Sequence, residues 1–540
     1  MLKSVLITAL ALLGPACAQE SETFTNPILY EDFPDNDISL GPDGAFYYSA
    51  SNFHYSPAAP ILRSYDLVDW EFVGHSIPRQ NFGDGYNLPP TGERAYRGGT
   101  WASTLRYRES TGLWYWIGCV NFYHTWVYTA PNPEGPWTNA GNYGNGVCFY
   151  DNGLLIDDDD TMYIVYSFND GKQVNVTQLA PDGLSTVRTE KVIEPGQVSV
   201  DSIEGNRMYK FNGFYYILND HPGSTAYVWK SESPWGPYEG KPLADNVQSP
   251  LPGGGAPHQG SLIETPQGDW YFMSFTWAFP SGRLPVLAPI EWQDDGFPTL
   301  VTDATTGAWG TSYPLPLPRK PLNHSWASTN YPFTTLTTLP PTFEWNHNPD
   351  TDSFTLTPDV GLVLSTATAN ETDDLYSARN TLTHRVHGEF PTATLELDVG
   401  GMADGDRAGL AAFRDRSAYI GAHRTGDELQ VVARFNMTLD EWGGPTLDLG
   451  EVVETVPLGA FGEVGTRLWF RLSMDVRPDG AHEAGFEYSV DGEAFVAVGG
   501  KYELYTGWAF FLGYRFGIFN YATKALGGSV TAVSFATGSK

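Results

Sequence analysis

Short apolar runs rich in aromatic residues, each preceded by a turn of Gly, Asp or Asn, recur along the N-terminal half of the chain. Phe46-Tyr47-Tyr48, Leu113-Trp114-Tyr115-Trp116, Met162-Tyr163-Ile164-Val165-Tyr166, Phe214-Tyr215-Tyr216-Ile217 and Trp270-Tyr271-Phe272 follow turns centred on residues 44, 112, 160, 213 and 268. Runs this short, bounded by turn residues, predict strands. The turns lie 68, 48, 53 and 55 residues apart, which leaves room for several short strands per unit and matches the spacing of four-stranded propeller blades. Unit ends recur as well, in Ser64-Tyr65-Asp66-Leu67, Gly135-Pro136-Trp137 and Gly236-Pro237-Tyr238. The pattern predicts an all-β chain that opens with a five-bladed β-propeller. The alternative is a generic β-rich domain whose hairpins look alike because tight turns demand Gly, Asp and Asn.

After the fifth unit the texture changes. Residues 314–342 gather Pro314, Pro316, Pro318, Pro321, Pro332, Pro340 and Pro341 without lasting alternation, which predicts a linker. Beyond it Ala393, Leu395, Leu397 and Val399 alternate with Thr394, Glu396 and Asp398, and Leu468, Phe470, Leu472, Met474 and Val476 repeat the pattern. This predicts a β-sandwich over residues 343–540. Within it, Trp508-Ala509-Phe510-Phe511 is denser in aromatics than one buried strand requires, and Trp508 is a candidate to face the cleft of the neighbouring domain.

A chain of 540 residues can bury more than one core. It begins Met1-Leu2-Lys3, continues through an apolar run over residues 5–13 and reaches Ala16-Cys17-Ala18. That order predicts a signal peptide over 1–18, a propeller over 19–313 and a secreted, extracellular protein. No other run is long and apolar enough to span a bilayer. Cys119 and Cys148 remain after the signal, and a disulfide and two buried thiols are both open. Asn175, Asn323, Asn370 and Asn436 head glycosylation motifs usable in a eukaryotic host. The net charge of −32 argues against nucleic acid and against anionic membrane as partners. Aromatic residues make up 14% of the chain, including 17 Trp; part of that is core, and part could stack on the apolar faces of sugar rings.

Three acids share one position in the repeat. Asp35, Asp151 and Glu204 each lie eight residues before a turn residue, Asp43, Asp159 and Asn212. In equivalent strands of a radial repeat this equal offset points all three toward a common axis, and it separates them from the other acids among the 63 in the chain. The run Asp157-Asp158-Asp159-Asp160 resembles a calcium loop but is read as a solvated hairpin turn, because its counterparts in the repeat occupy turns.

The motifs around these acids resemble glycoside hydrolase family 43. They are Asn26-Pro27-Ile28-Leu29 with Pro34-Asp35, Gly99-Thr100-Trp101-Ala102, Tyr150-Asp151-Asn152-Gly153-Leu154, Ile203-Glu204-Gly205, and His258-Gln259-Gly260-Ser261. Gly405-Asp406-Arg407-Ala408-Gly409-Leu410 and Gly513-Tyr514-Arg515-Phe516-Gly517 resemble the C-terminal module of xylan-active members. The resemblance implies a propeller enzyme that inverts, with Asp35 as general base, Asp151 as the residue that tunes pKa and orients the acid, and Glu204 as general acid. Inversion needs one carboxylate to activate water and another to protonate the departing oxygen. Trp101 matches a substrate-facing aromatic, with core packing as the alternative. Arg283 matches an arginine beside the sugar and the acids, with a structural ion pair as the alternative. His258 matches a channel histidine that contacts a bound cation or its waters, with a core histidine as the alternative. No cofactor is required by this resemblance, and a structural calcium in the channel is compatible with it. Phe53 and Tyr55 follow the first aromatic strand and are candidates to wall the pocket, with packing between blades as the alternative.

The chain departs from the commoner family pattern beside the base, where Pro34-Asp35-Asn36-Asp37 replaces Pro-Asp-Pro-Ser. Together with Ser51-Asn52-Phe53-His54-Tyr55-Ser56-Pro57 it looks closer to secreted fungal arabinofuranosidases. The expected activity is therefore an inverting, exo-acting α-L-arabinofuranosidase that frees side chains of arabinoxylan, including α-1,3-linked arabinose of doubly substituted xylose. The rival is a β-xylosidase on xylo-oligosaccharides. A carbohydrate-binding or catalytically lapsed propeller is a third reading, against which the three acids argue. The expected partner is arabinoxylan or its oligosaccharides, with Trp508 a candidate platform for the xylan backbone, and a monomer is expected.

Overall fold

The computed structural model describes residues 22–539 apart from 145, 321, 323–327 and 464. The expected signal peptide and the motif at Asn323 lie outside the described residues. Five four-stranded antiparallel sheets form the N-terminal domain. The first runs from Asp37–Leu40 through Phe46–Ser49 and Ala58–Ser64 to Trp70–Ile77, and the others begin at Thr100–Arg108, Tyr150–Ile156, Glu204–Phe211 and Ser261–Glu264. Each aromatic run predicted from the sequence is the second strand of its blade. These strands are packed on both faces, so their sequences read as continuous apolar runs.

The first strands of successive blades face the axis and are tied by side chains that bond neighbouring backbones. Leu105 N donates to Asp37 Oδ2 at 2.8 Å, Leu154 N to Thr104 Oγ1 at 3.0 Å, and Ile38 N to Ser261 Oγ at 3.1 Å. Arg207 is fully buried among them and donates to the carbonyls of Asp35 (3.0 Å), Asn36 (2.9 Å) and Asn152 (2.9 Å). One guanidinium thereby ties the backbones of two other blades to its own, which suits its rigid fork of donors. The two ends of the domain meet where Thr23–Thr25 pairs with Ser312–Pro314.

The C-terminal domain is a sandwich of two eight-stranded sheets around a core that includes Leu395, Leu410, Phe470, Phe516 and Phe535. One of its strands comes from the propeller: Tyr55–Ser56 pairs with Phe343–Asn346. At that seam Glu344 is fully buried and bonded by Asn52 (3.1 Å) and His75 (2.8 Å) of the propeller and by Arg385 (3.0 Å) and Arg515 of the sandwich.

Several expectations change here. The segment 314–342 is not all linker, because Ser328–Pro332 pairs with Ser529–Ser539 and Phe333 lies in the sandwich core. That strand pairs on one side only, where proline is tolerated. Cys119 and Cys148 form a disulfide. Asn175 is buried in Gln173–Leu179, its amide directed at the Tyr166 hydroxyl, so it presents no surface for a glycan. The acid run does form the predicted hairpin turn, but it is not simply solvated: Asp157 is buried and accepts from Tyr215 at 2.6 Å and from Lys210, and Asp160 accepts from Arg108 at 2.9 Å.

Candidate active site

At one end of the axis the blades turn one side chain each toward the centre. The pairing register slips between Thr100 and Ser103, between Tyr150 and Gly153, and between Glu204 and Arg207, at the same place in three blades. A bulge re-aims the side chain it carries, and here those side chains include Trp101, Asp151 and Glu204. Asp35 (φ 59°) and Asp151 (φ 49°) are left-handed, a conformation that a non-glycine residue holds only when its surroundings impose it. With Tyr150, Asp220, His258, Gln259, Phe275, Trp277, Arg283 and Phe511, these four residues line a pocket of about 110 Å³.

The carboxylates differ in surroundings. Asp35 accepts from Ser51 Oγ at 2.6 Å, Gln259 Nε2 at 2.8 Å and Arg283 Nη1 at 2.8 Å, an acceptor-only arrangement that suits an ionised group. Burial pushes the Glu204 carboxyl up and the charge of Asp35 adds to this, against the hydrogen bond donated by Tyr150 OH at 3.1 Å. Asp151 is held well above the usual carboxylate range by burial first, then by Glu204 and Asp35, although Gly205 N–H donates to it at 3.0 Å. One set of neighbours thus favours a base at Asp35 and a proton on Glu204.

Arg283 carries three constraints. Its backbone N–H donates to Asp32 Oδ1 at 2.8 Å, its Nη1 holds Asp35, and its Nε donates to the carbonyl of Phe511 at 3.1 Å. Phe511 belongs to the sandwich and is itself left-handed at φ 65°, so the second domain completes the pocket. Trp508, 47% exposed, lies outside the pocket lining with its ring 5.2 Å from Trp277 and 5.6 Å from Phe511.

Trp101 faces the pocket, packed 4.8 Å from Phe53 and 5.4 Å from Phe511. Phe53 and Tyr55 do not wall it. Phe53 is fully buried behind Trp101, and Tyr55 is buried under Arg515, 3.6 Å from its ring, because the chain turns there to pair with the sandwich. His258 stacks on Phe275 and Trp277 at 5.4 and 4.7 Å, its Nδ1 accepts from Gly223 N–H at 3.2 Å, and burial lowers its pKa to about 3, so the ring is neutral. Calcium takes six to eight oxygen ligands, and among the described residues no group of three or more His, Cys, Asp or Glu could hold a metal ion.

Asp220, Gln259 and Phe511 were not singled out by the sequence. Gln259 adjoins His258 in sequence. Asp220 has only its place on the strand beside Glu204. Phe511 sits in the same aromatic run as Trp508.

Residues 24–298 match the model of glycosyl hydrolases family 43. The chain belongs to this family. As a family 43 glycoside hydrolase it is an enzyme, and residues 331–536 match the β-xylosidase C-terminal concanavalin A-like domain. It is similar to a solved family 43 hydrolase described as engineered to display both endo-xylanase and exo-arabinofuranosidase activity. That similarity is 42% identity with a TM-score of 0.90, covering 96% of this chain and all of the other. A putative β-xylosidase of Xylanibacter ruminicola is 27% identical over 91% of this chain and 85% of its own. A non-reducing end α-L-arabinofuranosidase of Bacteroides ovatus is 32% identical over 56% of this chain and 59% of its own.

Proposed function

We propose that this family 43 enzyme is a secreted, inverting, exo-acting α-L-arabinofuranosidase that removes side chains from arabinoxylan. The observation that carries the reading is the pairing, in one pocket, of a carboxylate held by three donors (Asp35) with a carboxyl pushed up by burial (Glu204). Asp35 takes a proton from water as the water oxygen bonds to the anomeric carbon. The bond from that carbon to the departing oxygen breaks on the opposite face, and Glu204 gives its proton to that oxygen. Asp151, whose backbone carbonyl and carboxylate hold Asn206 and Gly205 next to Glu204, positions the acid. Arg283 orients Asp35. A pocket of about 110 Å³ is well below the roughly 300–1,000 Å³ of ordinary ligand clefts and suits one terminal sugar rather than a chain. Trp508 and Trp277 offer rings at the rim for the xylan backbone, with doubly substituted xylose the expected attachment point.

The choice of arabinose over xylose is supported by the exo-arabinofuranosidase activity named for the 42% identical structure and by the α-L-arabinofuranosidase relative. The β-xylosidase reading is supported by relatives carrying that name. Incubation with wheat arabinoxylan and with xylobiose, followed by chromatography, tests the proposal. Arabinose from the polymer supports it, and xylose from xylobiose without arabinose supports the rival.

A further inference from the structure

A fourth carboxyl group in the pocket has one oxygen without a hydrogen-bond partner among the described residues. Asp220 lies in Phe214–His221, directly across the hairpin from Glu204 in register, is 2% exposed and lines the pocket with the three acids. Its Oδ1 has no hydrogen-bond partner among the described residues. Its Oδ2 is 3.8 Å from His258 Nδ1, beyond hydrogen-bond reach, and that nitrogen already accepts from Gly223 N–H. Among the described residues no Lys or Arg is paired with it: Arg283 bonds Asp35 and the Phe511 carbonyl, and Arg207 pairs with Asp37 and donates to backbone carbonyls behind the pocket.

The fold makes room for this group. Gly205, left-handed at φ 70°, has no side chain where a Cβ would come within 2.6 Å of Asp220 Oδ1 and 2.3 Å of Gln259 Oε1. Space kept clear by a glycine and occupied by an unpartnered, buried oxygen is costly unless something supplies the missing donor. A sugar ring presents hydroxyl donors around its edge, and a site built to bond one of them discriminates strongly against an analogue lacking it.

We propose that Asp220 is a substrate-binding residue whose carboxyl oxygen accepts a hydrogen bond from one ring hydroxyl of the sugar seated in the pocket. This rests on the reading of the pocket as a glycoside site, but not on which pentose fills it.

The test is a cycle of kcat/KM values for wild type, Asp220→Ala and Asp220→Asn, on the 4-nitrophenyl glycoside that the wild type cleaves and on its singly deoxygenated forms. Asp220→Ala is expected to lose roughly 10- to 100-fold on the parent, the scale for leaving a buried polar group of the substrate without its partner. One deoxy substrate should cost wild type a similar factor, and joining that substrate to the variant should add no further loss. Asp220→Asn keeps the shape and one acceptor oxygen. It should show a smaller loss with the same pattern, and it carries the cycle if the alanine variant does not fold. Losses that multiply for every deoxy substrate, or an alanine variant with wild-type rates, overturn the assignment. Cleavage of the xyloside and not the arabinofuranoside overturns the arabinofuranosidase reading alone, because the same cycle then runs on deoxyxylosides.

Discussion

Arg283 of the propeller bonds Asp35 through Nη1 at 2.8 Å while its Nε is held by the carbonyl of Phe511, a residue of the sandwich, at 3.1 Å. The orientation of the expected base is thus shared between the two domains. Both side chains are buried, so water cannot replace either bond cheaply.

Lysine at this position can reach one of these partners but not both. Arg283→Lys should retain the fold, measured by its thermal midpoint, and lower kcat/KM by roughly 10- to 100-fold, the scale of a lost charge-assisted hydrogen bond. A variant with unchanged kcat/KM would show that Arg283 is a structural ion pair only.

Tyr150 OH donates to Glu204 Oε2, which favours the ionised acid. Tyr150→Phe removes that donor, so the Glu204 carboxyl should hold its proton to higher pH. The alkaline limb of the kcat/KM profile belongs to loss of the acid's proton and should move upward. A downward shift of the alkaline limb contradicts the assignment of Glu204 as acid.

Glu344 sits at the seam between the domains. Burial alone would raise its pKa, but Arg385, Arg515 and His75 bring it well below the usual range. A folded-state pKa below the unfolded one stabilises the protein above the unfolded value, about 4.3, and this contribution is lost as pH falls through the lowered folded value. Glu344→Gln leaves Arg385 and Arg515 buried without their counter-charge and should cost about 3–5 kcal/mol at neutral pH. Thermal or denaturant unfolding of the two proteins measures it. The gap between them should narrow in acid, and a gap that widens there contradicts the sign.

The blades and the grouping of the three acids were legible because both follow local rules: one hairpin per unit, a turn of fixed chemistry, and the same eight-residue step from each acid to its turn. What lay out of reach was nonlocal. Nothing near Tyr55 in the sequence indicates that this stretch, between two strands of the first blade, leaves it to pair with residues near 345. The proline-rich stretch hid an edge strand whose partner lies at the other end of the sandwich. Asp220 looks like any other acid until the hairpin places it opposite Glu204. Phe511 reaches the pocket only because the second domain docks there.

The central claim, a single-displacement hydrolysis with Asp35 as base and Glu204 as acid, is tested most directly by proton NMR of the sugar released from arabinoxylan in the first minutes, with Glu204→Gln alongside. Wild type should release β-arabinose first, which mutarotates afterwards, and Glu204→Gln should lose activity by orders of magnitude while remaining folded. α-Arabinose appearing first, or full turnover by Glu204→Gln, would contradict it.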